Sequence, residues 1–279
     1  MKLSIALSPC PNDTFVFYAL VHKKVRSPFA WKLTLTDIES LNELALHEAT
    51  DLCKISLALY PQIAHKYWLL NSGGALGYGC GPVLVCRPHF KEQSPEFPRV
   101  AVPGEHTTAC FLLRLFFPHY RHWLCLPYNQ IIAAVQNGTA DLGLLIHESR
   151  FTYYKAGLEL LADLGAMWEA QYNLPVPLGG IAARRSLPEP VLKNVEDDIR
   201  QSLYYAYAHP EETMAFVRQH AQELSDDVLN QHIKLFVNHY TFDLGPQGRA
   251  AILRLFHLGS TGLAERVFFL TSFTTHPPC

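Results

Sequence analysis

LSIALSPCPNDTF, residues 3–15, sets the fold class. Leu3-Ser4-Ile5-Ala6-Leu7 reads as a first strand, and Pro9 and Pro11 break it. Asp13 is placed to cap a helix over residues 14–21, which leaves residues 8–12 as a loop at the carboxyl end of a strand.

A strand that turns directly into a helix is the building unit of parallel α/β sheets, and the chain keeps repeating it. Residues 31–36 alternate as a strand, Ser40-Leu41-Asn42-Glu43 has capping-box spacing before a helix to His47, and a short strand follows at 52–55. Farther on come a strand at 99–102, Thr107-Thr108 before an apolar helix over 109–117, and a strand at 142–146. The run Ala49-Thr50-Asp51-Leu52 is echoed by Gly138-Thr139-Ala140-Asp141-Leu142, which two similar lobes explain. The expectation is an α/β protein of two lobes with largely parallel sheets and a central cleft. Proline-rich residues 88–98 suit a crossover and 173–181 a return, giving residues 1–90 with 182–279 as the first lobe and 91–181 as the second. Four helices, at 191–208, 210–220, 226–240 and 247–258, are expected to pack on the first lobe.

With 279 residues, 49% of them hydrophobic and 17% charged, the chain can bury a sizeable core. A net charge of -2 with no basic run beyond His22-Lys23-Lys24 argues against a nucleic-acid partner. Seven cysteines without a CxxC pair or zinc-finger spacing read as free thiols of a reducing compartment, not metal ligands. The apolar run before Cys10 is too short for a secretory leader, and no stretch approaches the ~20 apolar residues of a membrane helix. A cytoplasmic protein without membrane insertion is expected. Tyr204, Tyr205 and Tyr207 offer a candidate homodimer face.

Helix starts that directly follow strands, at Asp13-Thr14, beyond Ser56, at Thr107-Thr108 and at Ser149, would bring unpaired N–H groups and hydroxyls to one crevice. That points to a small anionic ligand, although each residue taken alone is equally a simple cap. His147 follows an apolar strand and can act there as a neutral general base, while most of the fourteen histidines must serve surface or packing roles. Lys54 inside an apolar strand either faces a cleft that binds an anion or lies on an exposed sheet face. The glycines of residues 73–79 lack the GKS/T ending of a phosphate loop and precede a strand, so they read as a tight passage beside the cleft. Without a GxSxG elbow, an HExxH pair or a Cys/His dyad, covalent and metal mechanisms lose ground.

SPCPNDTF (8–15), KIS (54–56), SGGALGYGCGP (72–82), VPGEHTTA (102–109), IHESRFTY (146–153) and AHPEE (208–212), in this order, closely resemble the 1,4-dihydroxy-6-naphthoate synthases of the futalosine route to menaquinone. The resemblance runs to about residue 258; the last twenty residues match nothing in it. It implies a fold like that of type 2 periplasmic binding proteins, with the substrate between two lobes. It also implies a cofactor-free carbon–carbon lyase that converts cyclic dehypoxanthine futalosine into 1,4-dihydroxy-6-naphthoate. By the same resemblance His147 is the proton acceptor, and Lys54, Ile55, Ser56, Thr107 and Thr108 meet the substrate; Asn12 and Asp13 would line the wall. Cys53, Cys80 and Cys110 depart from the family pattern and are expected to bring sensitivity to oxidation. The competing readings are a chorismate dehydratase-like enzyme and a non-catalytic small-anion binding protein of the same fold.

Overall fold

The computed structural model describes residues 1–90, 95–221, 225–259 and 267–269. Strands β1 (Lys2–Leu7), β2 (Ala30–Leu35), β3 (Leu52–Ser56), β4 (Tyr67–Leu69) and β5 (Ala75–Gly77) belong to one sheet. Strands β6 (Val83–Cys86), β7 (Arg99–Val102), β8 (His122–Cys125), β9 (Leu142–Leu145) and β10 (Glu159–Asp163) form a second, and β11 (Val176–Arg184) returns to the first. The first runs β2-β1-β3-β11-β4 with β5 also on β11, and the second runs β10-β6-β9-β7-β8.

Each sheet has a parallel trio, β2-β1-β3 and β8-β7-β9, as the strand–helix repeat predicts. The expectation of largely parallel sheets fails at β6 and β11, which pair antiparallel to β9 and β3. The reason lies in the connection. A strand arriving from the other sheet enters at the cleft, where the parallel strands end, and so must run against them.

The chain therefore crosses between β5 and β6, before the 88–98 segment and not at 90/91, and returns just before β11, within the expected 173–181 segment but ahead of the 181/182 boundary. Glycine is what lets it pass. A Cβ on Gly81 would stand 2.2 Å from the Cα of Gly165, so the two backbones touch where the crossing meets the segment that directly follows β10. Gly81→Ala must push these segments apart, and we expect a loss of about 1–3 kcal/mol, read as a lower melting temperature. An unchanged melting temperature would contradict the close approach.

The helices are α1 (Pro11–Val21), α2 (Ile38–Leu46), α3 (Tyr60–Ile63), α4 (Thr108–Phe116), α5 (Ile131–Gln136), α6 (Leu164–Tyr172) and α7 (Glu189–Ala208). They are followed by α8 (Pro210–His220), α9 (Asp226–Phe236), α10 (His239–Phe242) and α11 (Gly245–Gly259). Two starts differ from expectation. Pro11, with φ already suited to a helix, opens α1 behind Cys10, so Asp13 sits inside the first turn instead of capping it. Asp37, not Ser40, caps α2, its carboxylate accepting from the N–H groups of Glu39 and Ser40.

Leu3, Ile5 and Leu7 of β1 pack with Phe15 and Phe17 of α1 and with Val195, Ile199 and Leu203 of α7. Helices α8 and α9 also pack on α1, as expected of the C-terminal helices, while α9 extends further to the turn that begins at His147. The helix expected over 226–240 stops at Phe236 because Asn238 caps a new turn, accepting from Tyr240 N–H at 2.9 Å. Tyr204 and Tyr207 are exposed, Tyr207 stacked on Phe242 and Tyr204 tilted against it, whereas Tyr205 bonds Glu212 at 3.0 Å. Among the described residues no helix is long and apolar enough to cross a membrane. Most of the last twenty residues, and part of the 88–98 segment, lie outside the described residues.

Candidate active site

Strand alternation sorts the KIS segment. Lys54 and Ser56 point to a cleft of about 630 Å³, and Ile55 points the other way into the core. Ile55 is thus the one predicted contact whose side chain the fold keeps from the cleft. Asn12, Asp13, Thr107, Thr108 and His147 all line it, with Ile38, Ala75, Leu178 and Phe236 as an apolar surround. Its lining, largely apolar with a few converging polar groups, suits a small organic ligand.

Lys54 is only 5% exposed, and its ammonium lies 2.9 Å from Asp13 Oδ1 and 3.2 Å from the Gly73 carbonyl oxygen. The open choice between cleft and exposed sheet face resolves to the cleft, yet with the charge already matched. Two of the three ammonium hydrogens are used, and the third remains for a ligand. Asp13 also accepts from Ser8 Oγ at 2.7 Å and from Asn12 Nδ2 at 2.8 Å, which explains why it leaves capping to others.

That last bond fixes the tautomer of a histidine on the other side of Asn12. A carboxylate paired with lysine can only accept, so Asn12 presents its NH2 to Asp13 and its Oδ1 to His232 Nε2, 3.0 Å away. His232 Nε2 must then carry the hydrogen. The ring is fully buried, and burial keeps its pKa well below the ordinary histidine value. Nothing in the sequence singles out His232 or the nearby Phe236: both belong to a helix more than two hundred residues from Asn12 and show no motif.

His147 opens a short 3₁₀ turn, His147–Phe151, directly after β9 and Ile146. Its φ of 55° lies in the left-handed region, uncommon outside glycine, so the fold spends conformational energy to aim this side chain. The ring meets Tyr128 edge-on at 5.0 Å and lies nearly parallel to His232 at 6.2 Å. Although the residue keeps some exposure to the cleft, Nε2 is buried without a hydrogen-bond partner. Burial lowers the His147 pKa to about 4; Asp13 opposes that shift and Lys54 adds to it. The imidazole is therefore neutral near pH 7, with a basic nitrogen uncommitted. Ser149, expected as a cap, lies inside this turn and caps nothing.

The hydroxyls divide less evenly than predicted. Thr107 caps α4, accepting from Cys110 N–H at 3.1 Å and donating to the Gly104 carbonyl at 2.8 Å. Thr108 donates to the Leu178 carbonyl at 2.8 Å and accepts from Ala58 N–H at 3.2 Å. Both are spent on structure, so what the TT pair can offer a ligand is the N–H groups of Thr108 and Ala109, which have no partner within the helix. Ser56 is different: its oxygen accepts from Asn42 Nδ2 at 3.1 Å, and its hydroxyl hydrogen stays available to the cleft.

Cys53, Cys80 and Cys110 are buried, and their burial pushes the thiols up to about 12, about 12 and about 11. Thiolate is the oxidisable form, so these positions do not bring the expected sensitivity. Cys10, also buried and shifted up, is no nucleophile either. Among the described residues, the group close enough together to hold a metal ion is Glu39, Glu43 and His106, which does not include His147.

A sequence model of a family described as menaquinone biosynthesis matches residues 3–261. The chain belongs to that family. Among menaquinone-biosynthesis relatives, a 1,4-dihydroxy-6-naphthoate synthase of Thermus thermophilus is 48% identical, the match covering 91% of this chain and 92% of the relative. One from Streptomyces coelicolor is 44% identical, with 90% of each chain covered. The resemblance read from the motifs is thereby borne out. A crystal structure of a protein from Archaeoglobus fulgidus superposes with a TM-score of 0.86 at 32% identity, covering 92% of this chain and 96% of that one. The ligand-binding component of an ABC-type import system from Staphylococcus aureus, 14% identical, superposes at 0.72 over 98% and 97% of the two chains and shows that the fold is of the periplasmic-binding-protein kind.

Proposed function

We propose that the chain is a carbon–carbon lyase that converts cyclic dehypoxanthine futalosine into 1,4-dihydroxy-6-naphthoate, with neutral His147 as the general base. The observation that carries this reading is the buried, uncommitted His147 Nε2 on a left-handed backbone beside an apolar cleft. The kinship to two synthases of that name supports the substrate.

In this reading Nε2 takes a proton from the cyclic substrate, and the electron pair so released breaks a carbon–carbon bond, so that the sugar-derived portion leaves and the new ring becomes aromatic. Aromatisation supplies the driving force, so one base and good positioning suffice and no cofactor is called for. The Ser56 hydroxyl, the N–H groups of Thr108 and Ala109 and the third ammonium hydrogen of Lys54 would hold the substrate's carboxylate and oxygen substituents. Two lobes, one around each sheet, would close over it and exclude water. We place the reaction in the cytoplasm. Purified protein offered cyclic dehypoxanthine futalosine and chorismate in parallel should form naphthoate from the first; conversion of chorismate alone would replace this reading.

A pH profile tests the state of the base. Because burial depresses the His147 pKa to about 4, the base stays unprotonated down to that pH, and kcat/KM should be flat from pH 7 to 5. An acid limb near 6.5, the ordinary histidine value, would contradict the buried neutral base. Stability, unlike kcat/KM, should change over this range. The unfolded chain takes up this proton below about 6.5 and the folded chain only near 4, so the fold weakens as pH falls through that window.

A further inference from the structure

Ser56 and the first turn of α4 approach the cleft from different sheets, and one side chain bonds the supports of both. Glu39, in the first turn of α2, accepts from Asn42 Nδ2 through Oε2 and from the His106 backbone N–H through Oε1, each at 3.1 Å. Asn42 holds Ser56 twice, accepting its N–H at 2.9 Å and donating to its Oγ at 3.1 Å. His106 immediately precedes Thr107, the cap of α4. Gly104 makes the approach feasible: its φ of 148° suits glycine alone, and a Cβ there would come within 2.4 Å of the Glu39 carboxyl carbon.

Electrostatics alone would disfavour this arrangement, since a carboxylate near an anion site repels the ligand. What a carboxylate offers is an acceptor oxygen for each of two N–H donors, whereas a glutamine has one. We infer that Glu39 is a positioning residue, which sets the Ser56 hydroxyl and the Thr108 and Ala109 N–H groups against each other as a single anion-binding pocket. The inference rests on the proposed lyase only for the identity of the natural ligand.

The test compares wild type, Glu39→Ala, Glu39→Gln and Glu43→Ala. It measures KM and kcat for cyclic dehypoxanthine futalosine and, independently of turnover, the Kd for 2-naphthoate by calorimetry. Glu39→Ala should raise KM and Kd about tenfold or more with a much smaller change in kcat, the signature of lost binding geometry. Glu39→Gln, which keeps an oxygen for His106, should raise both less. Glu43→Ala removes an exposed carboxylate 3.5 Å from the His106 ring and, by charge alone, should leave both constants unchanged or lower them. Gly104→Ala should act like Glu39→Ala and add little to it in the double variant. Constants for Glu39→Ala that stay at or below the wild-type values, or rise no more than in Glu43→Ala, overturn the inference. If Glu39→Ala does not fold, Glu39→Gln decides by the same sign. A wild type that binds 2-naphthoate yet does not turn over the substrate defeats the lyase reading alone, and one that binds no 2-naphthoate defeats the pocket.

Discussion

Replacing His147 with alanine is expected to lower turnover at least about 100-fold, followed as naphthoate formation, while the fold stays intact. The size follows from the number of bases on offer. His147 lines the cleft with a nitrogen free of partners, whereas His232 does not reach the cleft: its ring is fully buried and its Nε2 hydrogen is committed to Asn12. Lys54 is engaged with Asp13 and cannot take over. Backbone strain provides a control. His147 already sits at a φ of 55°, and asparagine tolerates that region better than alanine does. His147→Asn should therefore melt no lower than His147→Ala and lose activity to the same degree. Near-normal turnover in either variant would remove His147 from the reaction; equal losses with a collapsed melting temperature would show that the side chain serves the fold.

The sequence made the local grammar plain where punctuation was strong. Pro9 and Pro11 end β1 and start α1, and Thr107 caps α4, because these residues restrict the backbone or satisfy its N–H groups wherever they stand. Strand order was less accessible. An apolar run such as Val83–Cys86 looks the same in either sheet, so the crossing was assigned to the prolines after it, although the glycines before it carry the chain across. The cleft residues were legible as loops at strand ends, but not the use of their atoms. Donor and acceptor counts took the threonine hydroxyls out of the pocket, left that of Ser56 in it and showed the buried His232 standing behind its wall on Asn12, a partner remote in sequence.

The same counting changes what Lys54 should do when it is removed. Had its charge been kept for a ligand, Lys54→Met would leave the ligand-free protein as stable as before and act on KM alone. Its ammonium instead sits 2.9 Å from a carboxylate that is 1% exposed, and without it Asp13 would be a buried charge supported only by Ser8 and Asn12. Breaking one side of such a pair costs about 3–5 kcal/mol, whereas removing both sides together costs far less. At roughly 2–4 °C per kcal/mol for a protein of this size, Lys54→Met should melt on the order of 6–20 °C below wild type. Adding Asp13→Asn should recover much of that loss, a non-additive result that marks direct coupling. Unfolding followed by circular dichroism reads both variants without any substrate. A single variant as stable as wild type, or a double variant with merely summed losses, would mean that the cleft holds Lys54 for the anion and not for Asp13.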